Sequence, residues 1–255
     1  MEIEILGAHM TEIEGAKPAA LLIDGVLALD AGSLCSNLSL DAQRQIKAIL
    51  ITHYHYDHVR DIPAIAMNVA YYGTIEVFSI RSTFDVLSTH LLDGKMYPDF
   101  RAWPESRPAL RLVPVDPYNI FDVGGYGITA VPVKHGVPAA GFQVSSASGK
   151  KVFYTGDTGT GLSECWDHVS PDLLITEVSL PDKLHERATK SGHLTPGLLK
   201  EELLEFRKLK GYLPDTVVVH ITPWLEEEIA GEVDSLSREL DAGITLGREG
   251  LRISL

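Results

Sequence analysis

From Thr52 to His58 the chain reads THYHYDH, so His53, His55, Asp57 and His58 fall within six positions, directly behind the apolar run AILI. Imidazoles and a carboxylate at this density are ligand types for Zn²⁺, and also for Mn²⁺, Fe or Co²⁺. Without a bound cation such a cluster would repel and desolvate at a cost. In an extended segment residues two apart point to the same side, so His53 and His55 can chelate one ion. Once the chain turns toward a helix, Asp57 and His58 project elsewhere and can serve a second. Each ion still needs ligands from distant parts of the chain. His135, Asp157 and His220 are of the right type, and a carboxylate such as Asp157 can bridge two ions.

These residues share a local setting. Thr52–His58, Lys134–His135, Gly156–Asp157 and Val219–His220 each end a segment that reads as a strand. Functional groups concentrate where a rigid scaffold gives way to loops. EIEIL and AALLIDGVLALDAG read as early strands, the second broken into a hairpin at Asp24-Gly25. KAILIT is a continuous apolar run, the mark of a strand covered on both faces. LSLDAQRQI predicts a short helix with Ser39 as N-cap. VRDIPAIAMNVA predicts a helix with Pro63 in its first turn, and RSTFDVLSTHLL another, after the strand IEVFSI. The proline- and aromatic-rich stretch from DGKMYPDF to RLVPVDPYNI reads as an inserted loop region, in which Tyr97, Asp99, Phe100 and Trp103 could border a base-binding pocket or form the insertion's own core. YGITAVPVKH, GFQVSS, KVFYTGD, PDLLITEVSL, DTVVVHITP, GITLG and LRISL predict strands. TPGLLKEELLEFRKLK predicts a helix with Leu198, Leu199, Leu203, Phe206 and Leu209 on one face. Strands followed by helices, with no Gly/Ser linker, predict one α/β domain over 1–255, its sheets lying between helix layers.

Composition narrows the partners. A net charge of −13 opposes a long phosphate backbone or an anionic membrane surface, but not one small anion held by cations. Cys35 and Cys165 are far apart and in no metal spacing, which predicts unpaired thiols in a reducing compartment. The N-terminus carries neither the basic nor the apolar region of a signal peptide, and no apolar run reaches the length of a membrane span, so a cytoplasmic protein is expected. His9, His90, His168 and His185 stand in no ligand spacing and are expected to be structural or exposed, with His9 near enough to a strand end to line the site.

THYHYDH resembles the T-H-x-H-x-D-H signature of the metallo-β-lactamase superfamily, and VKHG, YTGDTG and VVVHITP follow in that superfamily's order. The resemblance implies an αββα sandwich, two mixed β-sheets between helix layers, with a dinuclear metal site at one edge. It implies that His53, His55 and His135 hold one metal and Asp57, His58 and His220 the other, with Asp157 bridging. Aspartate at 57 and histidine at 220 resemble the hydrolase branches. At a finer level the chain is similar to class II 3′,5′-cyclic-nucleotide phosphodiesterases and their bacterial relatives. LLIDGVLALDAGSLCSNLSLDAQRQIKAILITHYHYDH, LLDGKMYPDF, YTGDTG, TEVSLPDK and SGHLTP carry that likeness over nearly the whole chain. Tyr56 stands where the subfamily has leucine, and KMYPDF matches only part of its Trp-Pro-Asp-Phe stretch. Both departures bear on substrate preference rather than on metal binding.

The activity so implied is hydrolysis of cAMP or cGMP to the 5′-monophosphate. Two divalent ions, Zn²⁺ first among them, would lower the pKa of a shared water and supply a hydroxide nucleophile. The O3′ alkoxide is a poor leaving group and needs a proton donor. His193 in SGHLTP resembles the histidine of a G-H-S/T motif in related tRNA 3′-processing nucleases, and Glu177 in TEVS the glutamate of their H-E-A-T motif. His193, Glu177 and Asp57 are thus the expected catalytic residues. The expected partner is a small anionic nucleotide, with no long nucleic acid and no membrane, and a homodimer is compatible with the sequence. The alternatives are an RNA 3′-processing nuclease, a lactonase or a sulfatase on the same metals, or a metal-bound sensor without turnover.

Overall fold

Fourteen strands arrange as two sheets lying face to face, and the computed structural model describes all residues 1–255. The strands are β1 (Glu2–Gly7), β2 (Ala20–Ile23), β3 (Leu27–Leu29), β4 (Ala48–Leu50), β5 (Ile75–Ser79), β6 (Leu110–Pro114), β7 (Ile120–Val123), β8 (Tyr126–Pro132), β9 (Ala140–Ser145), β10 (Lys151–Tyr154), β11 (Leu173–Glu177), β12 (Asp215–Val219), β13 (Ile244–Leu246) and β14 (Arg252–Ser254). The helices are α1 (Leu34–Asn37), α2 (Leu40–Gln43), α3 (Tyr56–Val59), α4 (Ile62–Val69), α5 (Arg81–His90), α6 (Ser163–His168), α7 (His185–Ser191), α8 (Pro196–Lys210) and α9 (Glu226–Leu240). One sheet runs β14-β1-β2-β3-β4-β5-β6 and the other β13-β12-β11-β10-β9-β8-β7. Each is mixed: β3 to β6 are parallel, as are β10 to β13, and the remaining pairs are antiparallel.

Alternation along the strands builds the layers. Leu21, Leu29 and Leu50 of the first sheet meet Phe142, Tyr154, Ile175 and Val217 of the second in the central core. Their neighbours Leu22, Ala28 and Ile49 face outward, onto Ile62, Ile65 and Phe84 of α4 and α5. On the other side Phe153, Leu174 and Val218 pack on α6, α8 and α9 through Trp166, Leu203, Phe206 and Val233. The result is the αββα arrangement. β4 is buried on both faces for that reason, as its continuous apolar run requires. No helix is long and apolar enough to cross a membrane.

The turns and caps follow their local chemistry. Asp24 and Gly25 both take positive φ in the β2–β3 hairpin. Ser39 accepts from the Ala42 amide to start α2, Pro63 stands in the first turn of α4, and Thr195 caps α8 at Leu198 ahead of Pro196.

Two expectations need correction, and one choice left open between pocket and core turns toward core. The supposed insertion is partly sheet: Leu110–Pro114 pairs in parallel with β5, and Ile120–Val123 forms a hairpin with β8. Phe100 is fully buried in the α4–α5 core with Trp103 packed on it, and Asp99 pairs with Arg101, so this segment supplies core rather than a base-binding pocket. Leu209 is 46% exposed, since α8 has run past the core by its last turn. The sequence reading also passed over α6, α7 and α9. Cys35 and Cys165 are unpaired thiols.

His9 is buried rather than part of the site. Its Nδ1 lies 2.8 Å from Glu249 Oε1 and its Nε2 3.3 Å from Glu226 Oε2, which ties the N-terminal loop to the start of α9 and to the C-terminal turn. Burial opposes a charge on His9, but Glu249 and Glu226 outweigh it and raise the imidazole above its ordinary value. Stabilisation from this latch is complete below the unfolded-state pKa of about 6.5 and is lost as pH rises through the raised folded-state value. Glu249→Gln should therefore cost about 1–2 kcal/mol in urea melts at pH 6, and the gap to wild type should narrow toward pH 9. A gap of the same size at both pH values would mean that the latch is not ionic.

Candidate metal centre

The histidine- and aspartate-bearing segments leave the sheets at strand carboxyl ends, those after β4, β10 and β12 from the parallel parts, where open α/β sheets bind ligands, and the one after β8 from an antiparallel strand. β4 delivers His53 and His55, and the short α3 turns Asp57 and His58 back toward them. His135 stands between β8 and β9, Asp157 after β10 and His220 after β12. Two of these exits depend on left-handed backbone. Gly156 has φ +62 and a Cβ there would meet Thr52 at 2.7 Å, so only glycine fits before Asp157. His220 itself has φ +58, a costly conformation for a residue with a side chain.

All seven residues proposed as ligands converge. Ligand atoms of His53, His55, His135 and Asp157 lie within 4.8 Å of one another, as do those of Asp57, His58 and His220. Asp157 sits between the groups: its Oδ1 is 3.2 Å from His58 Nε2, and its Oδ2 is 3.3 Å from His220 Nε2 and 3.7 Å from His53 Nε2. Asp57 Oδ2 is 3.2 Å from His220 Nε2 and 3.5 Å from His58 Nε2.

Partners on the far side of each ring set the tautomers. His58 Nδ1–H donates to Asp30 Oδ2 at 2.7 Å. The Thr52 hydroxyl donates to Asp30 and accepts from His53 Nδ1–H at 3.0 Å. His135 Nδ1–H donates to the Gly192 carbonyl at 3.0 Å, and His220 Nδ1–H to Ser179 Oγ at 2.8 Å. Four imidazoles thus turn an Nε2 lone pair inward, and His55 turns Nδ1 inward, 3.2 Å from His135 Nε2. Histidines that hold metals are oriented in this way.

The cluster fits cations. His53 Nε2, His58 Nε2 and Asp157 Oδ1 are buried and make no hydrogen bond within the protein. Buried polar atoms without partners are rare in folded chains. Burial, and then His58, push His53 well below the ordinary imidazole value, which leaves a neutral lone pair. Burial also opposes a charge on His58, yet Asp157 and Asp30 raise its pKa well above that value: the two carboxylates demand a positive charge between them. Against burial, His220 and His58 hold Asp157 and Asp57 ionised, far below the usual carboxylate range.

His193 and Glu177 stand at the edge of the cluster. His193 Nδ1 is 2.6 Å from Glu177 Oε1. The His193 ring stacks on His220 at 5.5 Å, and its ligand-type nitrogen lies within 4.8 Å of those of Asp157 and His220. Burial works against a charge on His193, but the Glu177 carboxylate outweighs it and lifts the pKa to about 9. Glu177 thus favours the charged form of this ring, the form a proton donor needs. Ser179, fully buried, joins this pair to the cluster: its hydroxyl donates to Glu177 Oε2 at 2.7 Å while accepting from His220.

The sequence reading missed Asp30 and Ser179. Asp30, at the end of β3 with φ +57, accepts from the Thr52 amide and hydroxyl, His58 Nδ1 and the Tyr154 hydroxyl. Its signal was present, a carboxylate ending the apolar run LAL just before Ala-Gly. Asp30→Ala should cost about 3–5 kcal/mol in denaturant unfolding, because it strips four buried donors of their acceptor. It should also weaken metal binding about 10–100-fold in competition titrations, because His53 and His58 lose their orientation. Unchanged metal affinity would show that the rings are held by packing alone.

The described rim bears comparison with known proteins. A family profile described as "Beta-lactamase superfamily domain" matches residues 20–221. The chain is 26% identical over 98 residues to a Methanocaldococcus jannaschii protein named Ribonuclease Z, covering 37% of this chain and 29% of that one. It is 32% identical over 98 residues to a Bradyrhizobium protein of the same name, covering 36% and 30%. The matched segment thus spans under a third of either relative's length. The crystal structure of unliganded yeast PDE1 superposes with a TM-score of 0.81 at 19% identity, covering 100% of this chain and 99% of that one, a likeness of fold.

Proposed function

The chain belongs to the beta-lactamase superfamily, with the metallo-β-lactamase fold, and on that premise we propose that it is a metal-dependent phosphodiesterase. The observation that carries this reading is the His193–Glu177 pair beside the seven-ligand cluster. A protein that only bound metal would need no proton donor at the rim. Two divalent ions, one on His53, His55 and His135 and the other on Asp57, His58 and His220, with Asp157 shared, would activate water and neutralise the phosphoryl oxygens. The protein's own groups do the rest. Asp30, Thr52, Ser179 and the Gly192 carbonyl fix the imidazoles, so the ligands need little reorganisation. Asp57 and Asp157 stay ionised. Glu177 favours the charged form of His193, and His193 Nε2–H gives its proton to the leaving oxygen as the P–O bond breaks.

For a 3′,5′-cyclic nucleotide that oxygen is O3′ and the product is the 5′-monophosphate. Cyclic nucleotides lead this reading through the resemblance of the sequence to class II phosphodiesterases. The charge of −13 also favours a small substrate over a polynucleotide. A second reading, trimming of RNA ends, is favoured by the relatives named Ribonuclease Z. Protein loaded with Zn²⁺ or Mn²⁺ would be offered cAMP, cGMP, bis-p-nitrophenyl phosphate, a lactone and precursor tRNA. Release of 5′-AMP and 5′-GMP is expected. Cleavage of tRNA without cyclic nucleotides would select the second reading, and turnover of the lactone alone would refute both.

A further inference from the structure

A cleft of about 600 Å³ lies beside the centre, and apart from His135 and Gly192 its lining has no role in the chemistry above. Its walls are three segments: the loop 133–138, which carries His135; the loop 159–160, which follows Asp157; and 189–192, the last turn of α7 and its cap Gly192, the residue before His193. Glycines let these segments close on one another. A Cβ on Gly192 would lie 3.0 Å from Gly136 N, and one on Gly159 would lie 3.4 Å from Gly192. The floor is therefore largely bare backbone. Lys134 and Lys190 line the cleft, both are exposed, and neither appears in any ion pair, in a chain where acidic groups are in clear excess. On the same walls the amides of Gly136, Val137 and Thr160 donate to no acceptor in the chain. Unpaired ammonium groups together with free amides are what binds a phosphate.

Position says which part of the substrate would enter. Gly192 is bonded to His193, and its carbonyl holds His135. The cleft thus lies behind the His135 ring and adjoins the turn that carries His193, the proposed proton donor. We propose that it is a second anion subsite, which takes a phosphate carried by the leaving fragment and makes linear nucleotide diesters with a terminal phosphate preferred substrates. This inference rests on the phosphodiesterase reading and goes beyond it. A cyclic nucleotide has one phosphate and would leave Lys134 and Lys190 unused.

The test compares kcat/KM of the Mn²⁺-loaded protein for the thymidine dinucleotide TpT, its 5′-phosphorylated form pTpT and its 3′-phosphorylated form TpTp. The 5′-phosphorylated form, whose extra phosphate sits on the fragment that departs through O3′, should be cleaved at least about tenfold more efficiently than TpT and TpTp. In the double variant Lys134→Ala with Lys190→Ala that ratio should fall to near one. Calorimetry supplies a reading independent of turnover: thymidine 3′,5′-bisphosphate should bind wild type about tenfold more tightly than thymidine 5′-monophosphate, and the double variant should lose the difference. Equal efficiency for all three dinucleotides, or a preference that survives in the double variant, overturns the subsite while cleavage of TpT still supports the phosphodiesterase reading. Failure to cleave any diester, bis-p-nitrophenyl phosphate included, overturns both.

Discussion

Asp157→Asn should lower kcat/KM on every substrate by at least about 10³-fold, the equivalent of several kcal/mol of transition-state stabilisation. Asparagine has nearly the volume of aspartate, so packing is kept and only the charge is lost. That charge is the one shared by the two ligand groups, within 3.2 to 3.9 Å of His58, His220, His53 and His135. The loss should therefore appear in metal binding before it appears in folding. A ligand that binds the folded state alone raises its stability by mass action. Added Zn²⁺ or Mn²⁺ should raise the melting temperature of wild type and raise that of Asp157→Asn far less, while the metal-free melts stay close together. A variant that kept full activity and the full metal-induced shift would show that Asp157 is a structural partner of the imidazoles and no more.

His193→Ala should have the second-largest effect, and its pattern matters more than its size. General acids contribute typically 10²–10⁴-fold, so cAMP hydrolysis should fall within that range. Bis-p-nitrophenyl phosphate releases a phenolate that needs little protonation, and its hydrolysis should fall by less than about tenfold on the same grounds. The drop should lie in kcat, and both metals should remain bound. His193 also lies within 4.8 Å of Asp157 and His220, near enough to serve as a ligand instead. The two roles separate cleanly. Loss of a metal, with equal losses on both substrates, would make His193 a ligand; retained metals with a large leaving-group effect make it the acid.

The centre was more legible in the sequence than the apparatus that aims it. HYHYDH announces itself because ligand-type side chains rarely crowd behind an apolar strand. His135, Asp157 and His220 could be picked out because each ends a strand. Asp30 carries a fainter mark, a carboxylate that ends an apolar run with no ligand-type neighbour, and Ser179 carries none until tertiary structure sets them against His58 and His220. The same division holds for the fold. β4 and α8 are written in periodicity. β6 and β7 are not, because Pro114 and the polar residues around them suit edge strands, whose formation depends on a neighbour distant in sequence. α9 was readable, since Ile229, Val233, Leu236 and Leu240 recur at helical spacing and all four are buried. Its acidic opening, Glu226–Glu228, masked that stripe and suits the positive end of the helix dipole.

The metal content of the protein bears most directly on the function proposed. Wild-type chain freed of metal, dialysed to equilibrium against micromolar Mn²⁺ or Zn²⁺ and measured by inductively coupled plasma mass spectrometry should hold two ions per chain. A chain that saturates at one ion or none would contradict a shared two-metal centre built from His53, His55, Asp57, His58, His135, Asp157 and His220.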